Sequence, residues 1–434
     1  MPRTMKSRVG AAGFVMLTIA GALSGCSSSD TAGGGKGSIT VWMKKQLVDE
    51  QNTEFVKRAQ EYGKAHDVNV KVEIIAYEDF YPKWAGALES GNVPDVSFFG
   101  YQEVGQFYAQ KALRNVTSLS DRVEKANGTI SDTLKKPVTF DGAMYAIPAW
   151  AEAQVLIYRK DLLEAAGVRS APDTWEQFRT DAAKVTDKGK GVYGAGVGYG
   201  QKNSDAEFWT RALTWSYGGS LDASPADAAG TGPANVRAAQ LIKGVFDDGS
   251  APRDALNWDD AGNNRSYLSG QSAMVFNSGS LLQTLRAEAP QIYEKTGVTP
   301  FPAGPEGTVS PGIMNTFGIF AKARNPEGGS DLISYMLQKD WYTKWTDLGA
   351  PLAIPVFDEL RSSGVWAEEP NKAFADSVTG ATFLGSPSQY SPAAGQIYND
   401  RLVNKTFQEI LINKVDPAKA LAALRESADQ SYAK

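Results

Sequence analysis

Between residues 38 and 99 the chain reads SITVWMKK (38–45), NTEFVKRAQEYGKA (52–65), VNVKVEII (68–75), FYPKWAGALES (80–90) and DVSFF (95–99), and this alternation decides the fold. Residues 38–42 form a short strand pattern, and 68–75 alternates with the two-residue period of a second strand. In 52–65, Phe55, Ala59 and Tyr62 recur at i, i+4, i+7, so they share one face of an amphipathic helix. A second helix over 80–90 is stopped by Gly91-Asn92. Strands alternating with helices imply an α/β fold with a parallel sheet and right-handed crossovers. Ligands on such sheets bind beyond the carboxyl ends of the strands. The chemistry is therefore expected at 43–46, 77–79 and 100–103.

A second α/β region follows. Residues 142–148 lead into a β-rich run at 154–158. Thr174-Trp175-Glu176-Gln177 is a capping box that opens a helix. Helices are expected over 207–217, 236–246 and 331–348, and short strands at 273–276 and 317–320. Residues 300–312 (PFPAGPEGTVSPG) are a Pro/Gly-rich loop. Asp416-Pro417 opens the last helix, with Asp as cap and Pro at the first helical position.

Composition narrows the function. With 42% hydrophobic and 21% charged residues among 434, the chain can build sizeable cores, which excludes a disordered chain and a multi-span membrane protein. A net charge of −5 without a basic block argues against a nucleic-acid partner. One cysteine rules out an intrachain disulfide, and one histidine, His66, nearly excludes zinc sites and His-based relays. His66 ends a helical pattern and is expected at the surface. No metal and no cofactor are implied.

The first 25 residues have signal-peptide grammar: Arg3, Lys6 and Arg8, then an apolar stretch too short to span a bilayer. Leu23-Ser24-Gly25-Cys26 resembles a bacterial lipobox, in which the cysteine becomes the lipidated first residue. A tether through residues 26–37 follows, its SSSDTAGGGKG spanning about 18 Å as a random coil. The folded part is expected outside the cytoplasm, held to the cell membrane through acylated Cys26 alone.

Among residues that could carry chemistry, 194–200 (GAGVGYG) fits neither the phosphate-loop nor the dinucleotide pattern and reads as a flexible strand or turn region. There is no nucleophile elbow. Lys44 and Lys45 suit either a phosphate or a solvated turn. Glu78, Glu103 and Glu152 are candidates for a shared cleft. Glycosidase chemistry needs two carboxylates about 5–9 Å apart, and nothing in the sequence pairs these three. Phe99 and Tyr101 lie at a strand end, Trp150 leads into the second region, and Trp209 sits on a helix. A flat ring can bury the apolar face of a sugar while polar side chains meet its hydroxyl fringe; the competing role of each ring is core packing, which is expected for Trp175, Trp341 and Trp345.

Three blocks resemble the extracellular solute-binding proteins of bacterial ABC importers, in the branch that includes maltose-binding protein. They are 83–99 (KWAGALESGNVPDVSFF), 146–178 (AIPAWAEAQVLIYRKDLLEAAGVRSAPDTWEQF) and 267–279 (YLSGQSAMVFNSG). The resemblance implies a two-lobed, periplasmic-binding-protein-like (type II) α/β fold with an interlobe cleft and a multi-segment hinge. Its crossings would lie near 148–153, 277–280 and 315–320. Lobe one would span 38–149 plus 280–316, and lobe two 150–279 plus 317–434. Contact positions carried over are Gln46, Phe99, Gln102, Glu103, Glu152, Phe208 and Trp209, the turn from Asn277 to Gly279, and the loop from Gly312 to Asn315. Gln46, Gln102 and Glu103 depart from the charges of maltose binders, and Tyr398 is the nearest match to their C-terminal aromatic. The implied function is capture of a carbohydrate, a di- or oligosaccharide, by a monomer that delivers it to the ABC permease without catalysis. The alternatives are a sugar phosphate or polyol, with Lys44 and Lys45 as contacts, and a secreted glycosidase.

Overall fold

The computed structural model describes residues 37–201 and 203–433. The expected signal peptide, the lipidation at Cys26 and all of the tether before residue 37 lie outside these residues. No helix among the described residues is long and apolar enough to cross a membrane.

Ten strands order the chain: β1 (Ser38–Lys44), β2 (Asn69–Ile75), β3 (Val96–Gly100), β4 (Thr139–Phe140), β5 (Ala143–Met144), β6 (Ile147–Arg159), β7 (Tyr193–Ala195), β8 (Ser272–Ser278), β9 (Thr296–Thr299) and β10 (Gly312–Gly318). β4 and β5 pair with each other. The others form one sheet in the order β2–β1–β3–β10–β6–β8–β7, with β9 also on β6. As expected, β1, β2 and β3 are parallel. The helices Asp49–His66 and Tyr77–Ser90 connect them, the first burying Phe55, Ala59 and Tyr62, the second ending at Gly91 with φ 73°.

β6 is the strand that joins two halves. Its residues up to Ala153 pair antiparallel with β10. From Gln154 onward it pairs with β8 on one side and β9 on the other. The apolar side chains follow this division. One core gathers Val41, Phe55, Phe98, Phe99, Trp150, Phe317 and Trp345, and extends along one face of the second half through Ile157 and Val275. The other core gathers Leu156, Trp175, Trp209, Phe276, Phe301, Phe407 and Leu424.

Several expectations need correction. The strand placed at 317–320 is β10, which pairs along its length with β3 and β6. No passage falls at 277–280, because β8 and β9 both pair with the second part of β6; after β6 the chain next changes halves in 300–311, between β9 and β10, and not at 315–320. The helix placed at 331–348 is two helices, Pro326–Met336 and Lys339–Leu348. They pack in the first core, not with the second half as the 317–434 boundary implied. The reason is aromatic: Trp341 and Trp345 lie 6.4 and 6.5 Å from Phe55 on the first helix. Segment 319–398 stays with the first core, and only Val403 onward joins the second. The glycine-rich 194–200 run is buried and close-packed. A Cβ on Gly194 would meet the Ala182 carbonyl oxygen at 2.0 Å, and one on Gly200 the Trp258 carbonyl oxygen at 2.2 Å. The capping box at Thr174 and Gln177 is present, Asp416 caps the last helix, and exposed His66 stacks on Tyr62.

Candidate functional site

The carboxyl ends of β1 and β3 meet the middles of β6 and β10 at a polar cluster. Lys44 Nζ donates to Glu152 Oε1 at 2.9 Å and to Asn315 Oδ1 at 3.3 Å. Asn315 Nδ2 donates to the same Glu152 oxygen at 2.9 Å. Lys44 also lies 5.4 Å from the Tyr77 ring and 5.6 Å from that of Phe98. One strand end and two mid-strand positions thus hold three of the expected residues in one hydrogen-bonded set.

Glu103 stands on the first turn of the helix Tyr101–Ala109, directly after β3. It is 4% exposed, and its Oε2 has no hydrogen-bond partner. Burial pushes its carboxyl up to about 7, against the pull of the backbone amides of Glu103 and Gly100 and the charges of Arg401 and Lys44.

The opposing side comes from the second half. The helix Ser204–Ser216 is capped by Asn203 and carries Phe208, whose ring lies 5.5 Å from Tyr398 at the end of the helix Pro392–Asn399. The Arg401 guanidinium lies 4.4 Å from the Tyr398 ring. Arg401 occupies the left-handed region at φ 55°, in the turn before the helix Leu402–Leu411. Its Nη1 is buried without a hydrogen-bond partner. Glu207 fixes this turn. Its Oε1 accepts from the Asn404 amide at 3.1 Å, and Asn404 Nδ2 donates to the Asn203 carbonyl at 2.6 Å. Glu207 is itself held by fully buried Arg211, which donates to Asp222 at 2.8 Å from its other edge.

At the β6 crossing, Gln154 Nε2 donates to Asp205 at 2.6 Å, and Asn263 Nδ2 donates to its other oxygen at 2.8 Å. Burial, with the nearby Asp260 carboxylate, raises the Asp205 carboxyl above its usual range. Among the described residues no cluster of His, Cys, Asp or Glu is arranged to hold a metal.

The remaining expected positions divide clearly. Gln46 is consumed locally: its Nε2 donates to the Lys44 carbonyl and its amide to Asn52. Gln102 is buried, and its carbonyl accepts from Tyr390 at 2.8 Å. Asn277 donates to Asn264 and accepts from Ser280, so it ties the end of β8 to the helices on either side of it. Gly279 and Gly312 are close approaches, where a Cβ would lie 2.6 Å from the Pro351 backbone and from Phe383 respectively. Glu78 is exposed on the first turn of the helix Tyr77–Ser90.

Four aromatics expected at a ligand carry core packing instead. Phe99 is 0% exposed among Trp84, Phe107 and Phe320. Tyr101 is 0% exposed between Phe383 and Tyr390. Trp150 stacks with Phe98 and lies 5.4 Å from Trp345, with its Nε1 unpartnered. Trp209 stacks on Phe276 and meets Tyr199 edge-on inside the second core. Arg401 escaped the sequence reading altogether, because an arginine in an inter-helix turn has no local signal. Tyr77 was marked only as part of the 77–79 run.

Known proteins share this arrangement of elements. Residues 47–343 match the bacterial extracellular solute-binding protein family. A Brucella abortus (strain 2308) protein designated a binding protein is 26% identical over 294 residues, covering 68% of this chain and 70% of that one. The diacetylchitobiose binding protein DasA of Streptomyces coelicolor is 29% identical over 195 residues, 43% of this chain and 44% of that one. The GacH receptor of Streptomyces glaucescens, solved unliganded and with acarbose, superposes with a TM-score of 0.77 at 20% identity, covering 91% of this chain and 98% of the receptor. The fold is therefore the two-lobed α/β fold of these receptors, and the chain belongs to the bacterial extracellular solute-binding protein family.

Proposed function

We propose that the protein captures a carbohydrate between its lobes and delivers it unaltered to an ABC permease. The lobes are the two halves of the sheet with the helices each carries, and β6 is the principal hinge strand. In this reading acylated Cys26 anchors a monomer to the membrane, and no cofactor takes part. The supporting observation is the pair Glu103 and Arg401. Glu103 stands in the first half and Arg401 in the passage from the first core to the second, each with a buried polar atom that lacks a partner. A sugar hydroxyl can donate to Glu103 and accept from Arg401 at once, while Tyr77, Phe208 and Tyr398 offer rings to its C–H face. DasA and the GacH receptor, whose names carry diacetylchitobiose and acarbose, agree with that class.

The energetics suffice. Moving a hinge from 1:99 open to 99:1 closed requires about 5.5 kcal/mol of differential affinity. Two hydrogen bonds to charged groups contribute about 1.5–3 kcal/mol each, so one on each lobe comes close before any stacking. A sugar phosphate fits less well. Lys44 is already paired with Glu152, and a dianion drawn to Arg401 would also meet the buried Glu103 carboxyl. A polyol would use the same groups as a sugar. Titration calorimetry against monosaccharides, disaccharides, polyols and sugar phosphates tests the reading. A saccharide should bind and also compact the particle in X-ray scattering. New reducing ends on incubation with oligosaccharides would establish a glycosidase instead.

A further inference from the structure

Five large hydrophobic side chains are substantially exposed among the described residues: Leu47, Tyr77, Tyr81, Val365 and Ile412. Three of them share one edge. Leu47 follows β1 and Tyr77 follows β2, strands paired through Lys44 and Ile75, so both emerge beyond the same carboxyl ends. Tyr81 stands one helical turn beyond Tyr77 on the helix Tyr77–Ser90. Tyr77 is 45% exposed, Tyr81 49% and Leu47 61%.

This edge is continuous with the buried cluster. The Tyr77 ring meets the Lys44 ammonium on its inner side. Glu103 and Gln106 are three residues apart on one face of the helix Tyr101–Ala109. The amide of Gln106 exchanges hydrogen bonds with the Tyr81 hydroxyl, at 2.9 and 3.2 Å. A track therefore leads outward from Glu103 and Tyr77 to Gln106 and Tyr81 at the surface. Its two tyrosines are about one 5.4 Å helical pitch apart, comparable with one pyranose repeat. Exposed aromatics beside a polar amide suit a ligand that alternates apolar faces with hydroxyls.

Resting on the carbohydrate reading above, we infer that the ligand is an oligosaccharide longer than the buried cluster accommodates, and that its outer ring seats on Tyr81, beside Leu47 and Gln106. Tyr81 then determines length specificity. The ring next inward lies against Tyr77, and only the innermost unit reaches Glu103.

Calorimetric titration of the wild type and of Tyr81→Ala with maltose through maltotetraose, and with diacetylchitobiose through its tetramer, tests this. In the series that binds, wild-type affinity should rise at least tenfold from dimer to tetramer. Tyr81→Ala should lose that gain while holding dimer affinity within twofold, and Tyr81→Phe should retain most of it. The half-exposed position makes a folded variant the expected result, checked by an unchanged melting temperature. Dimer and tetramer binding equally well to the wild type overturns the inference and leaves the carbohydrate reading intact. So does a Tyr81→Ala variant with unchanged affinities but weaker stimulation of a permease, which would make the edge a protein-docking surface. Absence of binding to every saccharide sinks both readings together.

Discussion

At Gly100 the backbone leaves β3 under two side chains. A Cβ there would lie 2.6 Å from Glu103 Oε2 and 2.7 Å from Gln102 Oε1. Both are tips of side chains, so the fold can yield while the carboxylate cannot keep its place. Gly100→Ala should lower saccharide affinity at least tenfold and move the melting temperature by only a few degrees, as calorimetry and thermal unfolding would record. Glu103 itself gives a pH signature. Its carboxyl is pushed up to about 7 in the folded protein. Between its ordinary value near 4.5 and 7 the native state holds a proton that the unfolded chain has released, so this group's contribution to stability falls as pH rises through that window. A ligand hydroxyl donating to the carboxylate favours the ionised form and draws the pKa down. Binding then expels a proton, and affinity should increase from about pH 6 to about pH 8, near the value where a raised carboxyl titrates. Titrations in buffers of different ionisation enthalpy should detect the released proton, and Glu103→Gln should flatten the profile at a lower affinity. A Gln variant with the wild-type slope would assign the proton elsewhere.

Elements explain which aromatics serve packing and which serve the cleft. The helix Ser204–Ser216 is buried all round, so its neighbouring residues Phe208 and Trp209 face different surroundings: Phe208 meets Tyr398, Trp209 meets Phe276 and Tyr199. Trp209→Ala should therefore cost about 3–5 kcal/mol of stability as a core truncation, with saccharide affinity of the surviving folded fraction changed little. Denaturant unfolding beside calorimetry would separate the two effects. The strand–helix alternation of 38–99 was legible because each element has its own period and its own stop. The site was legible where a strand end announces it, as at Lys44 and Glu103; Glu152, in the middle of β6, was reached only through the resemblance and as one of three unpaired carboxylates. Phe99 misled because a strand end places neighbouring residues on opposite faces, and the sequence does not say which face is covered. Trp341 and Trp345 return to the first core for a similar reason. Their helical stripe is visible in the sequence, but its partner, Phe55, lies about two thirds of the chain away.

For the whole molecule the decisive feature is where the segments change halves. β6 crosses between Ala153 and Gln154, and the chain crosses again through 300–311 and between Tyr398 and Val403. Arg401 sits in this last passage, fixed from below by the Glu207, Arg211 and Asp222 triad and reaching toward Glu103. A residue on a crossing segment can report on both lobes, since its position changes when they rotate about the hinge. If closure is what the ligand stabilises, removing Arg401 takes away a contact made in the closed state and barely any made in the open one. Arg401→Ala should then weaken saccharide binding by at least a hundredfold and raise the ligand concentration needed for compaction by the same factor. The melting temperature of the unliganded protein should fall by only a few degrees, because the variant loses the guanidinium's contact with the Tyr398 ring while Nη1 has no partner to lose. Scattering curves recorded across a saccharide titration measure this directly. Equal midpoints for variant and wild type would place closure under the control of lobe-one groups alone.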